Sequence, residues 1–309
     1  MRFKTRTMEA SDWAEVAELI YVSINYWYHT HGGGPKFCNG PESTQLFCKI
    51  YEDLDPGCCL IAENASTGRI AASCFYHPRA THVSVGIMNV HPNYFGQGAG
   101  KLLMKEILSI AREAGKPVRL VSSAMNLDSF TLYNRCGFVP RQVFQDMYVT
   151  VPAEGLQADT PALTHRIRPA RAGDATAMAD LEEELVGIRR EDDFAYFIEN
   201  KDKWWNGSVL EDADGALHGF LFSVAHQASN LLGPGTARTE EETAALVFSE
   251  LNKHGGRQPV VLLPTDCREL VDTLYSWGAR NCEIHFSQVL GEWDPPTGVV
   301  LPTFMPETG

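Results

Sequence analysis

The chain has 309 residues, 44% hydrophobic, 10% aromatic and 21% charged, which is the length and apolar content of two ordinary globular domains. Its net charge is −13 and is uneven: residues 1–155 carry 14 basic and 14 acidic side chains, residues 156–309 carry 12 and 25. That balance argues against nucleic acid as a partner and leaves room for a local anion site in the first half.

No apolar run reaches 18 residues, so no membrane span is expected. The opening "MRFKTRTMEASDW" lacks an apolar signal core, which favours a cytoplasmic protein. The eight cysteines are scattered without a C-x-x-C pair, and several lie in apolar runs such as "GCCLIA". They read as buried free thiols, and no metal site is expected.

In chain order, a strand is expected near 2–6 and a helix near 11–27, ending in the aromatic stretch "INYWYHTHGGGPKF". A glycine-rich loop leads to a helix near 43–53, then strands near 58–63, 69–77 and 81–90. A helix follows at 98–114, a strand at 118–123, a short helix at 128–135 and a strand at 139–150. Strands with interspersed helices make a mixed α/β layer. The small, polar, unpatterned segment 153–165 reads as a linker between a domain at 1–152 and another at 166–309.

The second domain restarts like the first. "KTRTMEASDWAEVAELI" and "RIRPARAGDATAMADLE" align without a gap, with Arg6 meeting Arg168 and Asp12 meeting Asp174. Each reads as a strand, a turn with a capping Asp and a helix, which suggests two copies of one fold.

The stretch "NVHPNYFGQGAGKLL" carries Gly96, Gly98 and Gly100 between the alternating strand "THVSVGIMNV" and a helix with its apolar stripe at Leu103, Ile107, Ile110 and Ala114. Strict alternation puts Val83, Val85 and Ile87 on one strand face and His82, Ser84, Gly86, Met88 and Val90 on the other. A helix start leaves backbone N–H groups unpaired, and glycines let them approach an anion closely. The same glycines equally suit a tight connection that holds nothing. A Walker A loop is disfavoured by spacing and by the missing hydroxyl, and a dinucleotide fingerprint by its place after the fourth strand.

About 25 residues later, "RLVSSAMNLDSFTLYNRCGF" gives a strand ending near Asn126 and a helix carrying Ser129 and Tyr133, closed by "CGF". Together with V-x-P-x-x-x-G-x-G-x-G-x-x-L-L, this resembles the GCN5-related N-acetyltransferase (GNAT) family over residues 1–150. The resemblance implies two tandem GNAT (acyl-CoA N-acyltransferase) folds, each a mixed, mostly antiparallel sheet flanked by helices. It implies that Met88, Asn89 and Val90 pair with the pantetheine arm of acetyl-CoA. It implies that the turn of Phe95, Gly96, Gln97, Gly98, Ala99, Gly100 and Lys101 cradles the pyrophosphate. Asn126 and Ser129 fall on the cofactor side, and Tyr133 matches the acid that protonates the departing thiolate. One departure is Phe95, where the family has Arg or Gln; Lys101 supplies a nearby cation.

Candidate bases are His82, which shares the strand face with Ser84 and Met88, His91, or water alone. The segment holding Tyr26, Trp27, His29 and His31 is where the family recognises its acceptor, and it reads as a mobile aromatic lid.

In the second half, "LLGPGTARTEEETAALV" stands where the phosphate turn falls, with Gly233, Gly235 and Ala237 echoing the glycines. Glu240, Glu241 and Glu242 occupy the first helical turn and would repel a phosphate. Aligned on Gly278, Leu274 takes the place of Tyr133 and Tyr275 is displaced by one residue. The second domain thus reads as a degenerate GNAT-like copy, with "IRREDDFAYF" a surface helix with an apolar side. The expected function is transfer of an acetyl group from acetyl-CoA to an amine of a small molecule, peptide or protein. The alternatives are a non-catalytic acyl-CoA-binding or regulatory protein and a purely structural module. Oligomeric state is left open.

Overall fold

A computed structural model describes residues 2–307. It divides into two compact units. The first takes in the chain up to Pro78, His82–Leu120 and Phe304–Glu307; the second takes in Arg79–Thr81 and Val121–Thr303.

The first unit holds β1 (Phe3–Thr7), α1 (Trp13–Thr30), α2 (Gln45–Leu54), β2 (Cys59–Asn64), β3 (Ile70–Pro78), β4 (Val83–Val90), α3 (Ala99–Glu113) and the start of β5 (Val118–Ser123). The strands follow one another β1-β2-β3-β4-β5, antiparallel except for the parallel β4–β5 pair. α1 buries Val16, Ala17, Leu19, Ile20 and Ser23, the spacing of one helix face. α3 buries Leu103, Met104, Ile107 and Ala111. The expected stripe through Ile110 and Ala114 is corrected: Ile110 is half-buried, and Ala114 is exposed because the helix ends at Glu113.

The second unit holds the end of β5, α4 (Leu127–Arg135), β6 (Val139–Tyr148), β7 (Ile167–Pro169), α5 (Ala175–Val186), α6 (Glu191–Glu199), β8 (Trp205–Glu211), β9 (Leu217–Val224), β10 (Leu231–Ala237), α7 (Glu240–Leu251), β11 (Val260–Pro264), α8 (Arg268–Ser276), β12 (Arg280–Leu290) and β13 (Val299–Leu301). Its strands run β12-β6-β11-β10-β9-β8-β7, with β13 on β10. β6 comes from the first half of the sequence, yet it pairs antiparallel with β12 on one side and β11 on the other. β12 in turn lies beside the end of β5, where Ala124 N donates to Ile284 O at 2.8 Å. Each copy's last strand is thus exchanged, a swap of identical elements within one chain. Met147, Val149 and Val151 carry first-half apolar side chains into the core of the second unit, among Leu221, Leu246 and Leu263.

The repeat is visible in side-chain chemistry. Arg6 donates to both carboxylate oxygens of Asp12 at 2.6 and 2.9 Å and to Glu63 at 2.8 Å. Arg168 does the same to Asp174 at 2.7 and 2.9 Å, and also reaches Glu211. Asp12 and Asp174 each accept from the backbone N–H three residues earlier, which closes the turn before the helix.

"IRREDDFAYF" forms α6 with one side exposed, at Asp192, Ala195 and Glu199, and the expected apolar side buried. Phe194 and Phe197 of α6 are buried against Phe220, Phe222 and Trp205. Its polar residues are buried as pairs, Arg190 with Glu182 and Asp193 with Arg79. What the sequence pattern misses is the buried pairing, because a paired charge in a core looks like a surface charge.

Candidate active site

The turn after β4 begins with a short 3-10 segment, Pro92–Tyr94, and reaches α3 through Gly96 at φ +71° and Gly98 at φ +88°. Both are left-handed conformations that glycine adopts without strain. A Cβ built on either meets nothing within 4 Å, so open space lies over the turn. Gly98 is the N-cap of α3, and the helix's first turn contains no acid. The exposed Lys101 sits in that turn. Unpaired N–H groups, positive dipole end and open space together fit an anion.

β4 offers a second feature. Among the described residues it pairs with β5 only at Val83–Val118 and Ser84–Arg119, so the two strands part beyond that point. The segment Val85–Val90 then has a free backbone edge on the β5 side, suited to an extended ligand. The register on β3 shifts between Cys74–Met88 and Tyr76–Val85, which places one extra residue on β4. Strict alternation from His82 to Val90 is therefore corrected: a bulge interrupts it. Asn89 is buried, and its Oδ1 accepts from Ser23 of α1 at 2.7 Å.

Around the turn, Phe95 is 42% exposed and its ring lies 6.0 Å from that of Tyr26 on α1. Gln97 folds back onto Asn93 O. Trp27 stacks on His31 at 4.3 Å, while His29 is exposed. The glycine-rich loop is packed against α1 in this structure. Asn25 Oδ1 accepts from Lys36 N and Phe37 N, its Nδ2 donates to Phe37 O, and the Lys36 ammonium sits 4.1 Å over the Tyr28 ring.

His82 is 1% exposed and its Nε2 is 3.1 Å from Ser84 Oγ. His91 Nδ1 accepts from Asn93 N. In the second unit, Asn126 caps α4, its Oδ1 accepting from Ser129 N at 3.0 Å. Tyr133, on the same helix, is buried beside Phe138. Within that unit Asp146, Glu283 and His285 meet across the β6–β12 pair, with His285 Nδ1 2.8 Å from Asp146 Oδ1. This buried trio had no sequence signal, because it joins residues 139 positions apart.

The corresponding place in the second copy is built differently. Gly233, Gly235 and Ala237 lie inside β10, so the expected glycine turn there is corrected. Built Cβ atoms would lie 2.6 Å from Pro302 O and 2.7 Å from Phe220 O, so these glycines serve close packing. α7 starts directly after Thr239, whose Oγ1 accepts from Glu242 N while Glu242 accepts from Thr239 N. Glu240 accepts from Leu270 N. The helix start is closed by its own side chains. Leu274 is buried where the first copy has its tyrosine, and Tyr275 points out to Asn281.

An open glycine turn at a helix start thus stands beside the parallel β4–β5 pair. Residues 24–138 match the model of the acetyltransferase (GNAT) family. A candidate acetyltransferase from Pyrococcus horikoshii is similar at TM-score 0.73 and 14% identity, over 97% of this chain and 95% of that one. A GCN5-related N-acetyltransferase from Sphaerobacter thermophilus gives 0.64 and 17%, over 95% and 97%. A tandem GNAT protein from the clavulanic acid biosynthesis pathway gives 0.60 and 13%, over 94% and 100%. At such identities the likeness is one of fold, and the chain is two tandem GNAT folds. No curated protein matches the sequence. No helix among the described residues is long and apolar enough to cross a membrane.

Proposed function

We propose that the chain is an N-acetyltransferase that moves an acetyl group from acetyl-CoA directly to the amine of a small molecule, peptide or protein. The observation that carries this reading is the contrast between the two helix starts: α3 opens with two left-handed glycines under open space, whereas α7 opens with three glutamates and a capping threonine. One cofactor site per chain, in the first copy, follows from it.

In this reading the backbone N–H groups of Phe95–Lys101 hold the pyrophosphate, and the edge of Met88–Val90 orders the pantetheine arm. Bound acetyl-CoA supplies an activated thioester carbon. The acceptor amine attacks as a neutral nucleophile, and Tyr133 gives the leaving sulfur its proton. Asn126 and Ser129 shape the start of the Tyr133 helix. Tyr26, Trp27, His29 and His31 offer rings to the acceptor side. The second domain, taken as 166–309, is a structural partner of the first, taken as 1–152 with a linker at 153–165. We place the protein in the cytoplasm.

Tyr133→Phe tests the acid role. Turnover of acetyl-CoA with an amine falls about 10²-fold or more while cofactor affinity is kept. Equal turnover in the variant assigns the proton to another group. A second reading, a non-catalytic acyl-CoA-binding protein, is favoured by the exposed Phe95 in the turn. Cofactor binding without turnover across an amine panel selects it.

A further inference from the structure

The first unit contains a buried group of titratable side chains that the cofactor turn does not use. α2 is capped by Asp55, and β3 ends at Pro78. These two ends bring Asp55 Oδ2 to 2.7 Å from His77 Nδ1, with His77 only 1% exposed. A carboxylate there holds the Nδ1–H tautomer and turns the Nε2 lone pair the other way.

Nε2 leans over β4. A Cβ built at Gly86 would lie 2.7 Å from it, so only glycine leaves the ring that position. Gly86 stands two residues before Met88, within the bulged part of β4. The other neighbour of Nε2 is Glu307 Oε2 at 3.4 Å. Glu307 closes a four-residue turn, Phe304–Glu307, in which Met305 is buried and Phe304 O accepts from Tyr51 Oη at 2.7 Å. Burial raises the Glu307 carboxyl above the usual range, against the lowering pull of His77. Two carboxyls, an imidazole and a tyrosine packed together against β4 with little exposure are costly for packing alone.

We propose that His77, oriented by Asp55, is the base that takes the proton of the acceptor amine, and that the turn Phe304–Glu307 occupies the acceptor's place against it. The inference rests on the acetyltransferase reading. In the step, the amine nitrogen bonds to the acyl carbon and the C–S bond breaks. The amine proton goes to His77 Nε2, and the thiolate takes its proton from Tyr133. While Glu307 engages Nε2 the base is covered, so the turn must withdraw for an amine to enter.

The test uses the full-length chain in two arms. In the first, diethyl pyrocarbonate acylates unprotonated, accessible imidazoles, and peptide mapping follows His77. The wild type protects His77, and Glu307→Ala makes its modification at least about tenfold faster. Equal rates in the two proteins overturn the covering role. In the second, acetyl-CoA turnover is measured with ethylamine and spermidine, which are protonated at pH 7, and with hydroxylamine, which is neutral. His77→Gln lowers kcat for the alkylamines by about 10²–10⁴-fold, spares hydroxylamine and leaves acetyl-CoA affinity intact. Gly86→Ala, which displaces the ring without removing it, gives the same split in milder form. Unchanged alkylamine turnover in both variants overturns the base assignment. Failure of the wild type to bind acetyl-CoA marks failure of the acetyltransferase reading itself, and the labelling arm still decides the covering turn.

Discussion

The ring of Tyr26, near the end of α1, meets the ring of Phe95 in the glycine turn, centroids 6.0 Å apart and planes at 58°. Both side chains remain largely exposed, Tyr26 at 48% and Phe95 at 42%. The pair joins the helix expected to recognise the acceptor to the loop expected to hold the cofactor. An exposed aromatic lip is a poor partner for a phosphate and a good one for a flat or cationic group.

Replacing Phe95 by Arg puts a charge-assisted donor at the lip of the anion cradle. The expected result is acetyl-CoA binding about fivefold to tenfold tighter, close to 1 kcal/mol, and reduced by salt. Calorimetric titration at two salt concentrations checks it. No change in affinity means that the pyrophosphate does not reach Phe95.

The start of α7 stabilises the second copy through its reciprocal cap. Thr239→Ala removes the acceptor for Glu242 N and is expected to cost about 1 kcal/mol in denaturant unfolding. Thr239→Ser, which keeps the hydroxyl, stays close to wild type. Glu241, which makes no part of that cap, tolerates Gln.

Thiol reactivity separates the cysteines. Burial pushes Cys48 up to about 12 and raises Cys59 and Cys74 well above the ordinary thiol value, so all three stay protonated at pH 8. Cys38 and Cys282 are exposed. A disulfide reagent at pH 8 therefore modifies Cys38 and Cys282 first, and reaches Cys48, Cys59 and Cys74 only on unfolding. Rapid modification of Cys74 in the native protein contradicts the packing of the first unit.

Acid stability has a marked group in the second unit. His254 is buried with Nε2 2.9 Å from Ser223 Oγ, and burial, with Arg257 and Lys253 nearby, lowers its pKa to about 4. The unfolded chain binds that proton near pH 6.5 and the folded chain only near 4. Stability is thus unaffected above pH 6.5 and falls as pH drops from there toward about 4. A loss on the order of 3 kcal/mol is expected from this group. Urea unfolding of the wild type and His254→Gln at pH 7 and pH 4.5 checks it: the difference between the two proteins narrows or reverses in acid. A gap that widens in acid contradicts the assignment.

Much of this was legible in the sequence, because the governing signals are local. The expected strand at 118–123 is β5 to the residue, and the expected helix at 128–135 is α4 but for one residue. The match of Arg6 with Arg168 and Asp12 with Asp174 appears in space as two copies of one ion network. What stayed hidden depends on residues far apart in the chain. Nothing in "DMYVTVP" says that β6 will pair with β11 and β12, since both pairings are non-local and an alternating strand suits either neighbour. The approach of Asp55, His77 and Glu307 crosses more than two hundred residues and has no spacing motif. Glycines also misled: "GPG" at 233–235 looks like a turn, but its absent side chains make room for neighbouring backbone inside a strand.

Calorimetric titration of the full-length chain with acetyl-CoA is the most direct measurement. The expected result is one site per chain, lost in Gly98→Glu, whose side chain puts a carboxylate and a strained backbone where the glycine turn meets α3. Two sites per chain would show that the Glu240–Glu242 helix start binds cofactor after all. No binding at millimolar acetyl-CoA, or binding that survives Gly98→Glu, would contradict the claim that this turn holds the pyrophosphate.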